Sequence, residues 1–323
     1  MATYKGIQGY TVQKLSSDPP GAQSVGQLWY NSSTGAFKIG TQSAGVWSAG
    51  GNLVKARKYL AGVGSKTAGL VYAGDLSPPN LCESYDGSTW TEVGDTSSST
   101  YIRGRAGTQT AALASGGVNG GAQATCESWN GSSWTEVNNI NTSKYAFAGS
   151  FGIQTAAMVA GGTPPGTLNE SETFNGTCWA EGSNINNGRN AGGGCGTTTA
   201  GLIFGGTPPI PSLGVHTETY NGSAWTETNN LNAARYGING SGLQTAALGI
   251  GGGTPTVTAA TEQWDGTSWT EVGDLATARR YVGSSTVTGT DSAFAAGGIT
   301  PPATNATEEW TNPVYTIKTV TVS

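Results

Sequence analysis

An all-β fold, six four-stranded sheets closed into a ring, is predicted by three observations. A phrase of eleven residues recurs as "ESYDGSTWTEV" from 83, "ESWNGSSWTEV" from 127, "ETFNGTCWAEG" from 172, "ETYNGSAWTET" from 218 and "EQWDGTSWTEV" from 262. Its tryptophans, Trp90, Trp134, Trp179, Trp225 and Trp269, stand 44, 45, 46 and 44 residues apart, with Trp47 one period earlier and Tyr315 one period later. A small-residue doublet keeps the same period six times: Ala73-Gly74, Gly116-Gly117, Gly161-Gly162, Gly205-Gly206, Gly251-Gly252 and Gly297-Gly298. A period of about 45 residues indicates stacked repeats rather than two ordinary domains.

Each unit resolves into four short strands. The first follows a basic residue and an aromatic, as in Lys144-Tyr145 or Arg235-Tyr236; the second is an alternating apolar run such as "TQTAALASGG" that ends at the doublet. The third carries the Thr-Glu of the phrase and the fourth begins at its tryptophan. Asn-Gly or Asp-Gly between third and fourth is the strongest short hairpin signal, and predicts a type I′ turn with both central residues at positive φ. No unit could bury both sheet faces alone, so the units must pack in a closed array, which makes a β-propeller the expected architecture. Two segments compete to close it. The strand at Trp47 in "GVWSAGGNL" would supply a fourth strand early, and "VYTIKTV" near the end would supply one late.

Composition agrees and narrows the function classes. Glycine and proline together make a fifth of 323 residues (52 and 13), ten Trp, twelve Tyr and six Phe supply a core, and only 11% of residues are charged. The net charge of -5 gives no basic footprint for nucleic acid or an anionic membrane. No run of about 18 apolar residues is present for membrane insertion, and "MATYKGIQGY" shows no basic stretch leading into an apolar one, so no signal peptide is expected. Cys82, Cys126, Cys178 and Cys195 lack paired spacing and fall where sister repeats carry Thr, Ser or Ala, which marks them as small reduced core residues.

The doublet after the second strand, the Tyr-Asp of "SYDGSTW" and the tryptophan that follows resemble the kelch family of β-propellers over residues 47 to 323. The resemblance implies a six-bladed kelch-like propeller that serves as a binding scaffold; it implies no chemistry. Residues 1–45 stand outside the period as a separate module with a β-hairpin, Leu28 to Asn31 and Ala36 to Ile39, leaving 46–323 for the propeller. Its "GQLWYNSSTG" is similar to the short N-terminal modules that precede repeats in tail and fibre proteins of bacteriophages, notably marine ones, and the repeats resemble theirs too. That resemblance implies a non-enzymatic virion protein assembled in the host cytoplasm. Its expected partners are other virion proteins through the N-terminal module, a host-surface glycan or protein, and a second copy of the chain as homo-oligomer. A capsid decoration protein, a glycan-active propeller enzyme and a generic kelch interaction module stay open as alternatives.

Apparent chemistry in the chain is better explained by scaffold. Asn130, Asn175 and Asn221 form N-glycosylation acceptor patterns, but Asp86 and Asp265 replace them in sister repeats, so turn formation accounts for all five and glycosylation for three. "AGVGSKTAG" from Ala61 resembles a phosphate loop, yet Ser65 precedes Lys66, and the sister repeats read "GTQTAAL" and "GLQTAAL" where a strand is expected. "SYDGSTW" is one residue short of the sialidase Asp-box. Arg57, Arg189, Arg235 and Arg279, with Lys144 standing in once, recur at one position per unit and are expected to pair with strand-three glutamates such as Glu218 and Glu262. His216 is the only histidine, too few for a two-histidine copper site and a poor anchor for a triad. No catalytic, cofactor or metal residue is therefore predicted. The expected recognition elements are the variable loops between second and third strands, with Pro78, Pro79, Asn119, Pro164, Pro165, Pro208, Pro209, Pro211, Pro255, Pro301 and Pro302. These should share a face with the blade-to-blade loops, opposite the Asn/Asp-Gly turns. Pro19, Pro20, Trp29, Tyr30 and Phe37 are the candidate attachment residues of the first module.

Overall fold

The structure, a computed structural model, describes residues 12–75, 78–164, 166–207, 213–286 and 289–321. It divides into two compact units, Val46–Thr311 and a smaller one formed by Met1–Gly45 with Asn312–Ser323.

The larger unit is a six-bladed β-propeller of four-stranded antiparallel sheets. Blades 1 to 5 are continuous: residues 61–93, 104–137, 149–181, 193–228 and 239–271. Blade 6 takes Gly283–Ser284, Phe294–Ala296 and Thr307–Thr311 from the end of the unit, and its fourth strand, Val46–Ala49, from the beginning. Trp47 lies opposite Trp310 with ring centroids 5.4 Å apart, the aromatic pairing that Tyr85 and Trp90 make in blade 1 at 4.6 Å. The early segment therefore closes the ring. "VYTIKTV" does not: Tyr315–Thr319 pairs with Ala36–Gln42 in the smaller unit, so the propeller ends at 311 rather than at 323.

Six apolar clusters hold the ring, each shared by two adjacent blades. Tyr72 and Cys82 of blade 1 pack with Trp129 and Trp134 of blade 2, and the series closes where Phe294 and Ala296 of blade 6 meet Val71, Tyr85 and Trp90 of blade 1. The indole N–H groups of Trp47, Trp90 and Trp269 each donate to a threonine hydroxyl of the preceding blade, Thr261, Thr307 and Thr217, at 2.9–3.1 Å. Cys82 and Cys126 occupy the same strand position as those threonines, facing Trp134 and Trp179, and burial pushes their thiols up to about 12 and about 11. Cys195 is buried too, but Cys178 is exposed in a hairpin turn, so the expectation of a core residue fails there. The innermost strands are glycine-rich because they converge on the axis: a Cβ on Gly62 would stand 2.6 Å from the Ser284 amide nitrogen.

The recurrent phrase is a hairpin, but not of the expected turn type. In each copy the glycine alone takes positive φ (Gly87, Gly131, Gly176, Gly222, Gly266), while the preceding Asn or Asp stays at negative φ. The loop is four residues long, and its Asx side chain organises it: Asp86 Oδ1 accepts the Ser88 and Thr89 N–H groups at 2.8 Å, and Asn221 Oδ1 accepts those of Ser223 and Ala224 at 3.0 and 2.9 Å. Asn and Asp interchange because both offer that oxygen.

In the smaller unit the strands Gln13–Leu15, Leu28–Asn31, Ala36–Gln42 and Tyr315–Thr319 form one sheet, the first two parallel. Asp18, at the head of the Pro19-Pro20 turn, accepts hydrogen bonds from the Trp29 indole (2.9 Å) and the Asn31 amide (2.7 Å). "DPP" and "LWYN" are thus two halves of one local structure.

Candidate functional site

The loops expected to share a face do so. In every blade the residue after the Gly doublet, or its equivalent, forms an isolated bridge to the linker entering that blade: Lys58 with Asp75, Tyr101 with Val118, Tyr145 with Thr163, Asn190 with Thr207, Tyr236 with Gly253 and Arg280 with Ile299. The doublet's two successive positive φ angles make the turn into this loop. A Cβ on Gly116 would also lie 2.4 Å from the Lys144 carbonyl.

A buried ion pair fixes each linker: Arg57–Glu83 at 3.1 Å, Arg103–Glu127 at 2.7 Å, Lys144–Glu172 at 2.9 Å, Arg189–Glu218 at 2.7 Å, Arg235–Glu262 at 2.6 Å and Arg279–Glu308 at 2.7 Å. The same glutamates also accept a linker backbone N–H, as Glu218 accepts that of Asn186 at 2.8 Å. Burial pulls the Arg57, Arg189, Arg235 and Arg279 guanidinium groups below their ordinary range, and the facing glutamates partly restore them. The expected pairing of Arg189 with Glu218 and Arg235 with Glu262 holds. Arg103 escaped the repeat pattern because Thr100 occupies the register position, and the cation reaches Glu127 from three residues later.

Lys66 serves as a repeat variant. Its Nζ donates to the Trp310 carbonyl at 2.8 Å, as Gln109 Nε2 donates to the Tyr85 carbonyl at 2.7 Å. His216 sits in the loop before the third strand of blade 4, with Nδ1 3.4 Å from the Asn187 amide.

Around the axis, six linker residues take left-handed φ between 50° and 61°: Tyr59, Ile102, Ala146, Ala191, Gly237 and Tyr281. Their backbones form a closed circle. Each N–H donates to the carbonyl of the equivalent residue one blade earlier, at 2.7–3.4 Å, and Tyr59 donates to Tyr281 to complete it. One glycine and five strained residues persist in this conformation because the circle over-determines it. Below the circle the innermost strands place Gly62, Arg105, Ser150, Gly194, Gly240 and Ser284 at equivalent positions. Arg105 fills the axis. It donates to the Gly62 carbonyl (2.9 Å), the Ser284 carbonyl and hydroxyl, and the Gly240 carbonyl (2.6 Å), so it ties blade 2 to blades 1, 6 and 5. Burial pulls it down to about 10. Sequence reading missed it, since "YIRGRAG" shows two arginines without showing that one faces the axis.

A cavity of about 80 Å³ lies on the axis between Arg105 and the circle, lined among others by Tyr59, Tyr281, Ser150 and Asn239. At its rim Tyr59 meets Tyr281 at 4.6 Å and Tyr101 at 6.2 Å, and Tyr236 meets Tyr281 at 6.3 Å. The Arg280 guanidinium lies 4.8 Å from the Tyr236 ring and 5.8 Å from that of Tyr281, and donates to the Tyr236 hydroxyl. Lys58 lies over Tyr59 and pairs with Asp75 at 3.0 Å.

The described residues of the proline loops lie on the same face as this rim, next to the bridges that join each linker to its blade. Pro78, Asn119, Pro164, Pro255, Pro301 and Pro302 are exposed and Pro79 is half-buried. Pro165, Pro208, Pro209 and Pro211 lie outside the described residues. Of the attachment candidates, Trp29 is a core residue at 1% exposure rather than a contact residue. Phe37 and Pro20 are exposed, and Pro19 and Tyr30 are half-buried. No group of three or more His, Cys, Asp or Glu side chains converges for a metal among the described residues, and no helix there is long and apolar enough to cross a membrane.

No protein-family model matches the sequence, and no curated protein is similar to it. Among solved structures the chain is similar to that of YjhT, with a TM-score of 0.68 and 12% identity over 83% of this chain and 100% of that one. At such identity the likeness shows the fold alone, and that fold is a β-propeller.

Proposed function

We propose that the protein is a non-enzymatic recognition scaffold of a bacteriophage virion, a tail or fibre component whose loop face contacts the host surface or another virion protein. The observation that carries the scaffold reading is the fate of the repeated charges. Six buried cations and six buried glutamates are spent on fixing the linkers of one face, which pre-organises the loops beside them and lowers the entropy lost on binding. The virion setting rests on the similarity of "GQLWYNSSTG" and the repeats to phage tail and fibre proteins. Attachment through the smaller unit is supported by its surface: among the described residues, seven of the ten exposed large hydrophobic side chains belong to it, among them Leu28, Phe37 and Tyr315.

Mass spectrometry of purified virions tests the setting. The protein should be present at tail-fibre stoichiometry; hundreds of copies would make it a capsid decoration protein instead, and absence would overturn the reading. Scoring a glycan array for both binding and cleavage separates scaffold from enzyme, and cleavage of any glycan would sink the non-enzymatic assignment.

A further inference from the structure

The arginines of the propeller fall into two sets. Each linker cation that fixes a blade has its own glutamate, whereas Arg105 and Arg280 have no carboxylate partner among the described residues, and both belong to the axis or its rim. The Arg280 guanidinium stays within 6 Å of the Tyr236 and Tyr281 ring centroids, and its Nε, like those of Arg57, Arg103, Arg189, Arg235 and Arg279, is buried without a hydrogen-bond partner. In a chain of net charge -5, the axial mouth is thus a local excess of positive charge.

The tyrosines around it are not required by the fold. Ala146, Ala191 and Gly237 make the same backbone circle that Tyr59 and Tyr281 make, and a bulky side chain at left-handed φ is the more strained choice. Tyr59, Tyr101, Tyr236 and Tyr281 are half-buried, so each keeps part of its ring in water.

We propose that this mouth binds an acidic saccharide, with a sugar ring against Tyr59 and Tyr281, whose rings meet at 4.6 Å and 54°, and its carboxylate or sulfate on Arg280. Aromatic faces take the C–H side of a pyranose with little loss of side-chain entropy, and phenol hydroxyls meet its hydroxyls. A guanidinium fork pairs with an oxyanion bidentately. The cavity beneath, about 80 Å³, is too small for a sugar ring but has room for ordered water between the ligand and Arg105. The proposal names the ligand class of the recognition scaffold above and rests on that reading for its biological setting only.

Isothermal titration of the full chain with trimers of galacturonate, mannuronate and sulfated galactose, beside neutral galactose trimers and inorganic polyphosphate, tests it. At least one acidic trimer should bind tenfold or more tighter than the neutral one. Arg280→Tyr, which installs the residue found at 101, 145 and 236, should erase that preference. Tyr59→Ala with Tyr281→Ala, the residue found at 146 and 191, should weaken acidic and neutral binding at least tenfold while the unfolding midpoint shows an intact fold. No binding to any trimer, equal affinity for acidic and neutral trimers, or binding unmoved by these variants overturns the proposal. So does polyphosphate binding that matches the acidic trimers and survives the tyrosine variants. A protein present in virions that fails the titration loses this site alone; one that binds the acidic trimers but is absent from virions loses the virion reading alone.

Discussion

The Arg105 guanidinium donates to the carbonyl oxygen of Gly240, 2.6 Å away on the opposite side of the propeller axis. Glycines at 62, 194 and 240 let the innermost strands of adjacent blades approach around it, and a Cβ on Gly240 would lie 2.7 Å from the Gly194 carbonyl. One side chain therefore cross-links blades that share no strand.

Removing that cross-link leaves the Gly62, Ser284 and Gly240 carbonyls without this donor. Hydrogen bonds from a charged donor contribute about 1.5–3 kcal/mol each, against which the relief of burying a charge is set, so Arg105→Met should destabilise by roughly 3 kcal/mol. Urea unfolding measures it; a variant as stable as the parent would show that the axis tolerates an apolar plug.

The linker ion pairs predict an asymmetry between two substitutions. Arg189→Ala strands the Glu218 carboxylate in a buried site and should cost about 3–5 kcal/mol. Arg189→Lys should cost far less, because Lys144 already makes the equivalent pair with Glu172 at 2.9 Å. Equal losses in the two variants would contradict a charge-based role.

Acid should loosen the same lattice. Burial pushes the Glu127 carboxyl up, but the Arg103 charge and hydrogen bond and the Ser97 N–H outweigh it, leaving Glu127 below its ordinary range. A carboxyl depressed in the folded state contributes stability that is complete above the unfolded value of about 4.3 and is lost as pH falls through the folded one. Stability should decline below pH ~4, and Glu127→Gln should flatten that decline; an unchanged profile in the variant would assign the acid sensitivity elsewhere.

The hairpin loops predict that Asn221→Asp is neutral whereas Asn221→Ala costs about 1 kcal/mol, since only the latter removes the acceptor of two loop N–H groups. Thermal unfolding of both variants decides, and a destabilising Asp would refute the acceptor role.

Residues 46–311 carry all four strands of every blade, including the closing Val46–Ala49. That fragment should fold with the near-ultraviolet circular dichroism of a packed aromatic core. Starting it at 50 instead should leave Trp310 without its Trp47 partner and destabilise the whole ring.

Local pattern was enough for the blades. The period, the four strands per unit, the doublet turns and the Arg–Glu pairs at Arg189 and Arg235 all follow from residues that recur at fixed spacing, because each blade repeats one environment. The Asn/Asp alternation likewise marked a turn, although its four-residue form, with the glycine alone at positive φ, was not legible in it. What distinguished single blades was not local. Whether Val46–Ala49 or Tyr315–Thr319 completed blade 6 turned on a pairing between chain segments more than 250 residues apart. Arg103 and Arg105, two residues apart on one strand edge, received opposite tasks only through where the closed ring pointed each side chain. Repetition fixed the parts by periodicity, which a sequence displays. Closure around an axis set what lies at the centre, and that depends on all six blades being present at once.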